Sequence, residues 1–447
     1  MNKRFVCLIF AFLFLRALPL GAEEISYDRY APLWPDGPLK EPPSRSAEFF
    51  KDFGTHFLAY PLELVRRPLD KGLIFVERNH LDDKVQWIYE KMKNHGFTPK
   101  LYSLYGSDGL CGGFEIEFVK LANLKDQFPH TTVEGSALWT VGQISDYQVK
   151  FLQSQIAGRG IQLGGNFRYE DRREEDFYGI GPNTSLGDGT SYRMERTTLE
   201  AMSGFQFLNT WLARGKFIYQ NVNIGDGDDG KMGIIDDIFV QKRGQSIPGL
   251  QGDQMVRWAW EIEHDNRDNE DLPTVGGYQR FHFSFNKGMA NDAGFFRYRA
   301  EAAQFFKVFS EKRIFGIRGV MEHNDEIGGR SVPFFDRVRL GGIGVYPRVG
   351  DVHRGYRRDR FYDESLLLFN AEYRWPILEY REIRAEPVIF CVMGQVFGEW
   401  SRFQTKDFSF SYGLGFRISA EKKVVTEIDL ARSNEGTQFY VKTRAPF

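Results

Sequence analysis

Arginine is the residue type with the most chemical scope in this chain. Arg348, Arg354, Arg357, Arg358 and Arg360 crowd one glycine-containing stretch, and the strand-like segment after it carries Glu372. A guanidinium can grip a carboxylate through two parallel charge-assisted hydrogen bonds, and in a partly dry space such a pair can lock a loop to a wall. An arginine of this stretch could pair with a carboxylate on the following strand in this way; the alternative is a solvated loop arginine. Catalytic groups are harder to find. His264-Asp265 and His323 with Asp325 could serve acid–base chemistry at a rim. No serine sits in a nucleophile-elbow phrase, however, and no His/Cys/Glu spacing suits a metal. No catalytic residue, metal or cofactor is expected. Cys111 and Cys391 read as unpaired small apolar side chains.

The elements that would position these residues are strands. Leu367, Phe369, Ala371, Tyr373 and Trp375 alternate with Leu366, Leu368, Asn370, Glu372 and Arg374, which puts a greasy set on one face and a mostly polar set on the other. The pattern recurs. Val256, Trp258, Trp260 and Ile262 oppose Arg257, Ala259, Glu261 and Glu263; Phe408, Phe410, Tyr412, Leu414, Phe416 and Ile418 oppose Ser409, Ser411, Gly413, Gly415, Arg417 and Ser419. Any half-buried strand could read this way. Large apolar residues repeated over many strands, each with polar partners behind them, favour a transmembrane antiparallel β-barrel. About fifteen such segments can be placed between residue 113 and the end. A closed bacterial barrel needs an even number, so one more strand is expected within residues 220–254. The acidic turns 225–230 and 265–271 then fall in loops and lack the terminal glutamate of a calcium hand.

Two local phrases add specificity. Arg337 and Arg339-Leu340-Gly341-Gly342 precede Arg354-Gly355-Tyr356, and the next strand carries Asn370, Glu372 and Arg374. Far upstream stands Phe177-Tyr178-Gly179-Ile180-Gly181-Pro182-Asn183-Thr184. Together they resemble the bacterial surface antigen family, the barrel-assembly and translocation superfamily of outer-membrane proteins. In that family the strand before the long sixth loop ends in RF-x-LGG, the loop carries RGF or RGY, the following strand carries N-x-E-x-R, and an FYG-x-G turn lies upstream. The resemblance implies an all-β barrel of about sixteen strands, with Arg354, Gly355, Tyr356 and Glu372 forming a loop-to-wall latch and Phe177, Tyr178, Gly179 and Gly181 forming the family turn. It also implies a second latch carboxylate, an aspartate in F-x-D-x-G. Here Phe390-Cys391-Val392-Met393-Gly394 places Val392 at that position, so half of the expected carboxylate pair is missing.

Composition narrows the function classes. The 58 basic and 60 acidic residues of the 447-residue chain give a formal charge of −2, without the basic footprint of a nucleic-acid binder. The 41 phenylalanines and 20 tyrosines suit strands and the aromatic girdles of a barrel. Lys3 and Arg4, the apolar run Phe5 to Leu15 and the small-residue end Leu20-Gly21-Ala22 read as a signal peptide over residues 1–22. Residues 23–110 read as a periplasmic extension with two short helices between Ala47 and Asn94, whose apolar stripes Phe49, Phe53, Phe57 and Val85, Ile88, Met92 would plug or brace the barrel mouth. The family's periplasmic repeats are not evident there. Residues 111–447 then form the barrel. Terminal Phe447 resembles the signal by which barrels are delivered for assembly, with Pro446 as a departure from the usual ending.

The expected function is a component of protein or lipid insertion or transport at the outer membrane, and the alternative is a passive pore or scaffold. Expected partners are membrane lipids, substrate polypeptides or lipids, and the assembly machinery during biogenesis, with no nucleic acid.

Overall fold

The protein is described here as a computed structural model, which covers residues 97–106, 109–118, 131–140, 144–156, 160–208, 210–227, 233–343, 351–380, 383–420 and 423–442. The chain divides into two units, Met1–Asn79 and His80–Phe447, and every described residue belongs to the second. The expected signal peptide, the helices between Ala47 and Asn94 and the terminal Phe447 lie outside the described residues.

Among the described residues one sheet holds eighteen strand segments. Two are short, Gly233–Ile234 and Leu378–Tyr380. The others build the wall. They are β1 (Phe97–Gly106), β2 (Gly109–Phe118), β3 (Thr131–Thr140), β4 (Ile144–Ile156), β5 (Ile161–Phe177), β6 (Thr190–Phe207), β7 (Trp211–Asp226) and β8 (Asp253–Asp265). The second half comprises β9 (Gly276–Gly288), β10 (Gly294–Lys307), β11 (Ile314–Glu326), β12 (Ser365–Arg374), β13 (Ile383–Phe397), β14 (Ser409–Ala420), β15 (Lys423–Ser433) and β16 (Gly436–Lys442). Each pairs antiparallel with the next in sequence, and β1 meets β16 through one registered pair, Tyr105↔Val441. Among the described residues this is the shortest ladder of the wall.

The expected strand number is thus reached with a different strand. Among the described residues, 220–254 hold the end of β7, Gly233–Ile234, a π-helical turn, Asp236–Gln241, and the first two residues of β8, but no full wall strand. The strand missing from the sequence reading is β1, inside the stretch assigned to the N-terminal extension. Its Thr98-Pro99-Lys100 opening reads as a break, and proline is tolerated beside a poorly paired seam.

The alternation read from the sequence is the division between two solvents. Trp258, Trp260 and Ile262 are exposed on the outside of β8, while Arg257 and Ala259 are buried on the inside. On β12 Phe369 faces out, and Leu366, Leu368, Asn370, Glu372 and Arg374 are buried within. Outward aromatics stack across strands, as Trp258 does on Phe285 (5.8 Å between centroids) and Phe285 on Phe296 (5.6 Å). So large an exposed apolar belt fits lipid, not water. The protein is a membrane-spanning β-barrel whose core lies inside the lumen.

Candidate functional site

The lumen is occupied by the connection between β11 and β12. Its described part contains a 3-10 turn, Phe334–Asp336, and a two-stranded ribbon of Val338–Leu340 paired with Phe361–Asp363. The Arg-Gly-Tyr phrase sits at the ribbon's folded-back tip. Gly355 has φ +99, and a Cβ there would lie 2.8 Å from Ser411 Cβ, so the sharp turn against β14 requires glycine.

That turn delivers Arg354 into the wall with no exposed surface. Its guanidinium lies 3.3 Å from Asp429, 3.5 Å from Glu372 and 3.6 Å from Glu427, and 3.4 Å from the centre of the Phe390 ring. Arg417 of β14 completes the cluster, 2.7 Å from Glu372 and 2.8 Å from Glu427. With Arg374 3.9 Å from Glu372, three buried cations thus share three buried carboxylates. Removing water makes each pairing costly to break, because the partner left behind is a charge in a poor solvent.

The sequence reading found Arg354 and Glu372 and missed the rest. Val392 is fully buried, as are Val352, Tyr356, Phe390 and Leu368, which belong to the same apolar cluster. The wall beneath the tip is apolar at the place where the family pattern has an aspartate. His353 fits this setting, since burial pushes its imidazole pKa down to about 3 and keeps it neutral. The additional carboxylates come instead from β15. Glu427 and Asp429 alternate with Ile428 and Leu430, which are exposed on the lipid side, and that alternation was a legible signal of lumen-facing acids.

The final hairpin holds the tip as well. Tyr440 Oη on β16 accepts from the Gly355 amide at 3.0 Å and donates to the Tyr356 carbonyl at 2.7 Å. Ser433 Oγ donates to the Gly355 carbonyl at 2.6 Å, and Tyr356 Oη donates to Asn434 Oδ1 at 2.7 Å. Arg360 reaches Glu435 at 2.8 Å.

The upstream phrase meets the same loop from the other side. Phe177 and Tyr178 are fully buried, and Gly179 and Gly181 take φ +97 and +118. This positive-φ turn lets the Gly181 amide donate to the Tyr362 carbonyl at 2.8 Å, while Tyr362 Oη donates to the Asp176 carbonyl at 2.8 Å. Phe177 packs edge-on against Phe239, Phe334 and Tyr362, and Arg360 donates to Thr184 Oγ1 at 2.6 Å and faces the Tyr178 ring. Arg339 of the ribbon lies 3.4 Å from both Glu175 and Asp359. Burial, with a contribution from Glu175, which shares Arg339, pushes the Asp359 carboxyl up to about 6 against the pull of that arginine. Elsewhere on the wall, Asp351 of the loop pairs with Arg299 at 2.7 Å and Arg318 at 3.2 Å. The two sequence phrases therefore form one assembly, fastened around much of the lumen.

The histidine–carboxylate pairs have other roles. His264 Nδ1 is 2.9 Å from Gln279 Oε1 across the β8–β9 ladder. His323 Nδ1 is 2.8 Å from Ser365 Oγ, but that hydroxyl is fully buried and donates to the Gly398 carbonyl at 2.6 Å. A hydroxyl so engaged has no approach for a substrate. Cys391 is a free thiol.

Comparison with known proteins places this geometry. The Omp85 superfamily domain matches residues 134–420, well over half of the chain. Among solved structures, BamA from Haemophilus ducreyi lacking POTRA domains 1-3 is similar at 13% identity and TM-score 0.55, covering 78% of this chain and 70% of that one. CdiB from Escherichia coli matches at 9% identity and TM-score 0.49 (77% and 62% covered), and CdiB from Acinetobacter baumannii at 11% and 0.47 (78% and 60%). The chain spans less than two thirds of either CdiB chain. No curated protein gives a significant sequence match. The BamA likeness supports the barrel fold, and the matched domain shows that the chain belongs to the Omp85 superfamily of outer-membrane proteins.

Proposed function

We propose that this barrel is a component of polypeptide or lipid insertion or transport at the outer membrane, and that the β11–β12 loop is its latch. One observation carries the reading. The loop tip is fastened by Arg354 to Glu372, Glu427 and Asp429 and by hydrogen bonds to β15 and β16, while among the described residues β16 meets β1 through one registered pair. A wall with one weak ladder can part there at low cost, and an element gripping the adjoining hairpin can set that cost. A passive pore needs an open lumen, and the ion-paired loop across it speaks against that reading.

In this account Arg354, Gly355, Tyr356 and Glu372 are latch residues, and Phe177, Tyr178, Gly179 and Gly181 form the base on which the ribbon rests. Phe447 serves delivery to the assembly machinery, and residues 1–22 direct export. Residues 23–95 form the periplasmic extension that plugs or braces the mouth; their deletion should then raise single-channel conductance in planar bilayers. Substrates are polypeptides or lipids that enter the bilayer, and no catalysis is involved. The test is a deletion strain scored for outer-membrane protein and lipid content, complemented with wild type and Arg354→Ala. Loss of either class of content, restored by wild type and poorly by the variant, is expected. A deletion strain with unchanged envelope composition would refute a role in insertion or transport.

A further inference from the structure

Beneath the loop ribbon, away from the Arg354 cluster, lies a cavity of about 340 Å³, bounded by residues of β6, β7, β8, β10 and β11 and by the loop. Its charge is unbalanced. Arg196, Arg257, Arg297, Arg299, Arg337 and Arg339 line it, against three carboxylates, Glu322, Asp336 and Asp351.

Each of those carboxylates is already engaged. Asp336 is 2.8 Å from Arg257, Glu322 is 2.7 Å from Arg299 and 3.3 Å from Arg297, and Asp351 is held by Arg299 and Arg318. Arg337 and Arg339 turn to carboxylates outside the lining, Glu364 at 2.9 Å and Glu175 and Asp359 at 3.4 Å. Arg196 is left over. Among the described residues it has no carboxylate within 4.0 Å, and its side-chain contact is Met194 Sδ at 3.2 Å. Its Nε is buried without a hydrogen-bond partner, as are the Nε atoms of Arg257 and Arg337 in the same lining.

A guanidinium out of bulk water whose nearest acids, Glu170 and Asp336, stand beyond 4.0 Å is expensive, and an oxyanion with several acceptor oxygens in direct contact offsets that cost most fully. We propose that this cavity binds a phosphate-class oxyanion, as the free ion or a small phosphate ester, with Arg196 as its principal ligand. The cavity volume is ample for phosphate and sits at the lower end of the range for small-molecule sites. A lining dominated by six arginines and three carboxylates offers little apolar surface to an acyl chain, so the ester is a water-soluble one.

Because the site lies apart from the Arg354 cluster, it can be tested without reference to transport. The full chain, purified in detergent, is titrated calorimetrically with inorganic phosphate and with glycerol 3-phosphate, at ionic strength held constant with chloride. Saturable one-site binding of at least one probe is expected, together with a rise in the melting midpoint; the tighter probe shows whether the ligand is the ion or the ester. Arg196→Gln should weaken binding at least tenfold. Gln220→Glu provides a second arm. Gln220 pairs with Thr198 in the β6–β7 ladder, two positions along β7 from Val222, the partner of Arg196, and it lines the cavity. A carboxylate there supplies the missing counter-charge, so this variant should melt higher than wild type without phosphate and lose its response to phosphate. Absence of saturable binding by either probe, or undiminished affinity in Arg196→Gln, would overturn the proposal.

Discussion

Arg354→Ala is the sharpest perturbation of the latch, and its size can be worked from the cluster. Removing one member of a buried ion pair costs about 3–5 kcal/mol in general, because a charge is stranded. Here Arg417 stays 2.7 Å from Glu372 and 2.8 Å from Glu427, so two of the three carboxylates keep a cation. The low end, about 3 kcal/mol, is therefore appropriate. At 1.4 kcal/mol per decade that is roughly a hundredfold rise in the population of undocked loop. Trypsin can read this population, since Arg357 is exposed while Arg358 is buried in the docked state. When reclosing outpaces cleavage, the cleavage rate tracks the open fraction. We predict that Arg354→Ala, refolded in detergent, is cut at 357–358 about a hundred times faster than wild type and gives less of the heat-modifiable folded band. Arg354→Lys should fall between them, because an ammonium keeps the charge but loses the fork and the stacking on Phe390. Equal cleavage rates in wild type and Arg354→Ala would show that the ion cluster does not hold the loop.

Two further predictions address other fastenings. Tyr440→Phe removes a hydroxyl that joins the Gly355 amide to the Tyr356 carbonyl, leaving two buried backbone groups short of a partner; a cost of about 1–3 kcal/mol is expected, read as faster tryptic cleavage with strand content unchanged by circular dichroism. Asp359 has a folded-state pKa of about 6 against a usual 3.8. The native state thus holds more protons between these values, and stability falls as pH rises from about 4 to 6, by about 1–3 kcal/mol. Asp359→Asn should remove this residue's share of the slope, while Asp363, which burial also pushes up to about 6, keeps its own, and should stabilise the loop at pH 7. Asparagine tolerates the residue's φ of +47. Melting curves of the two proteins that stay parallel from pH 4 to 7 would rule this out.

What the sequence made legible was local. The alternation of β8, β12 and β14 needs only neighbouring residues to be read, and the structure assigns its two faces to lipid and lumen as read. Arg354, Glu372 and the upstream turn were legible through phrases of a few residues each. Long-range pairing was not. Asp429 lies 75 residues beyond Arg354, and Thr184 lies 176 before Arg360, so nothing in the spacing could say that they touch. β1 escaped for a different reason, since a strand at a weakly paired seam is under little pressure to show clean alternation and can begin with proline.

The substitution at Val392 shows what such long-range pairing changes. An acid on β13 would fasten the loop to a strand in the body of the wall. With Val392 in an apolar patch and Asp429 and Glu427 on β15, much of the buried charge pairing instead runs to the hairpin that carries the seam. Glu372 and Arg417 connect that hairpin to β12 and β14, so the cluster spans the wall on both sides of the loop tip. Coupling of this kind is reciprocal: if docking of the loop stabilises the β15–β16 hairpin, then displacement of the hairpin must loosen the loop by the same free energy. A substrate strand that competes with β16 for β1 would therefore also weaken the hold of Tyr440 on Gly355 and of Asp429 on Arg354. Under the proposed function, entry at the seam and release of the latch would be one equilibrium, and the tryptic cleavage that reports the latch would then also report engagement of the seam.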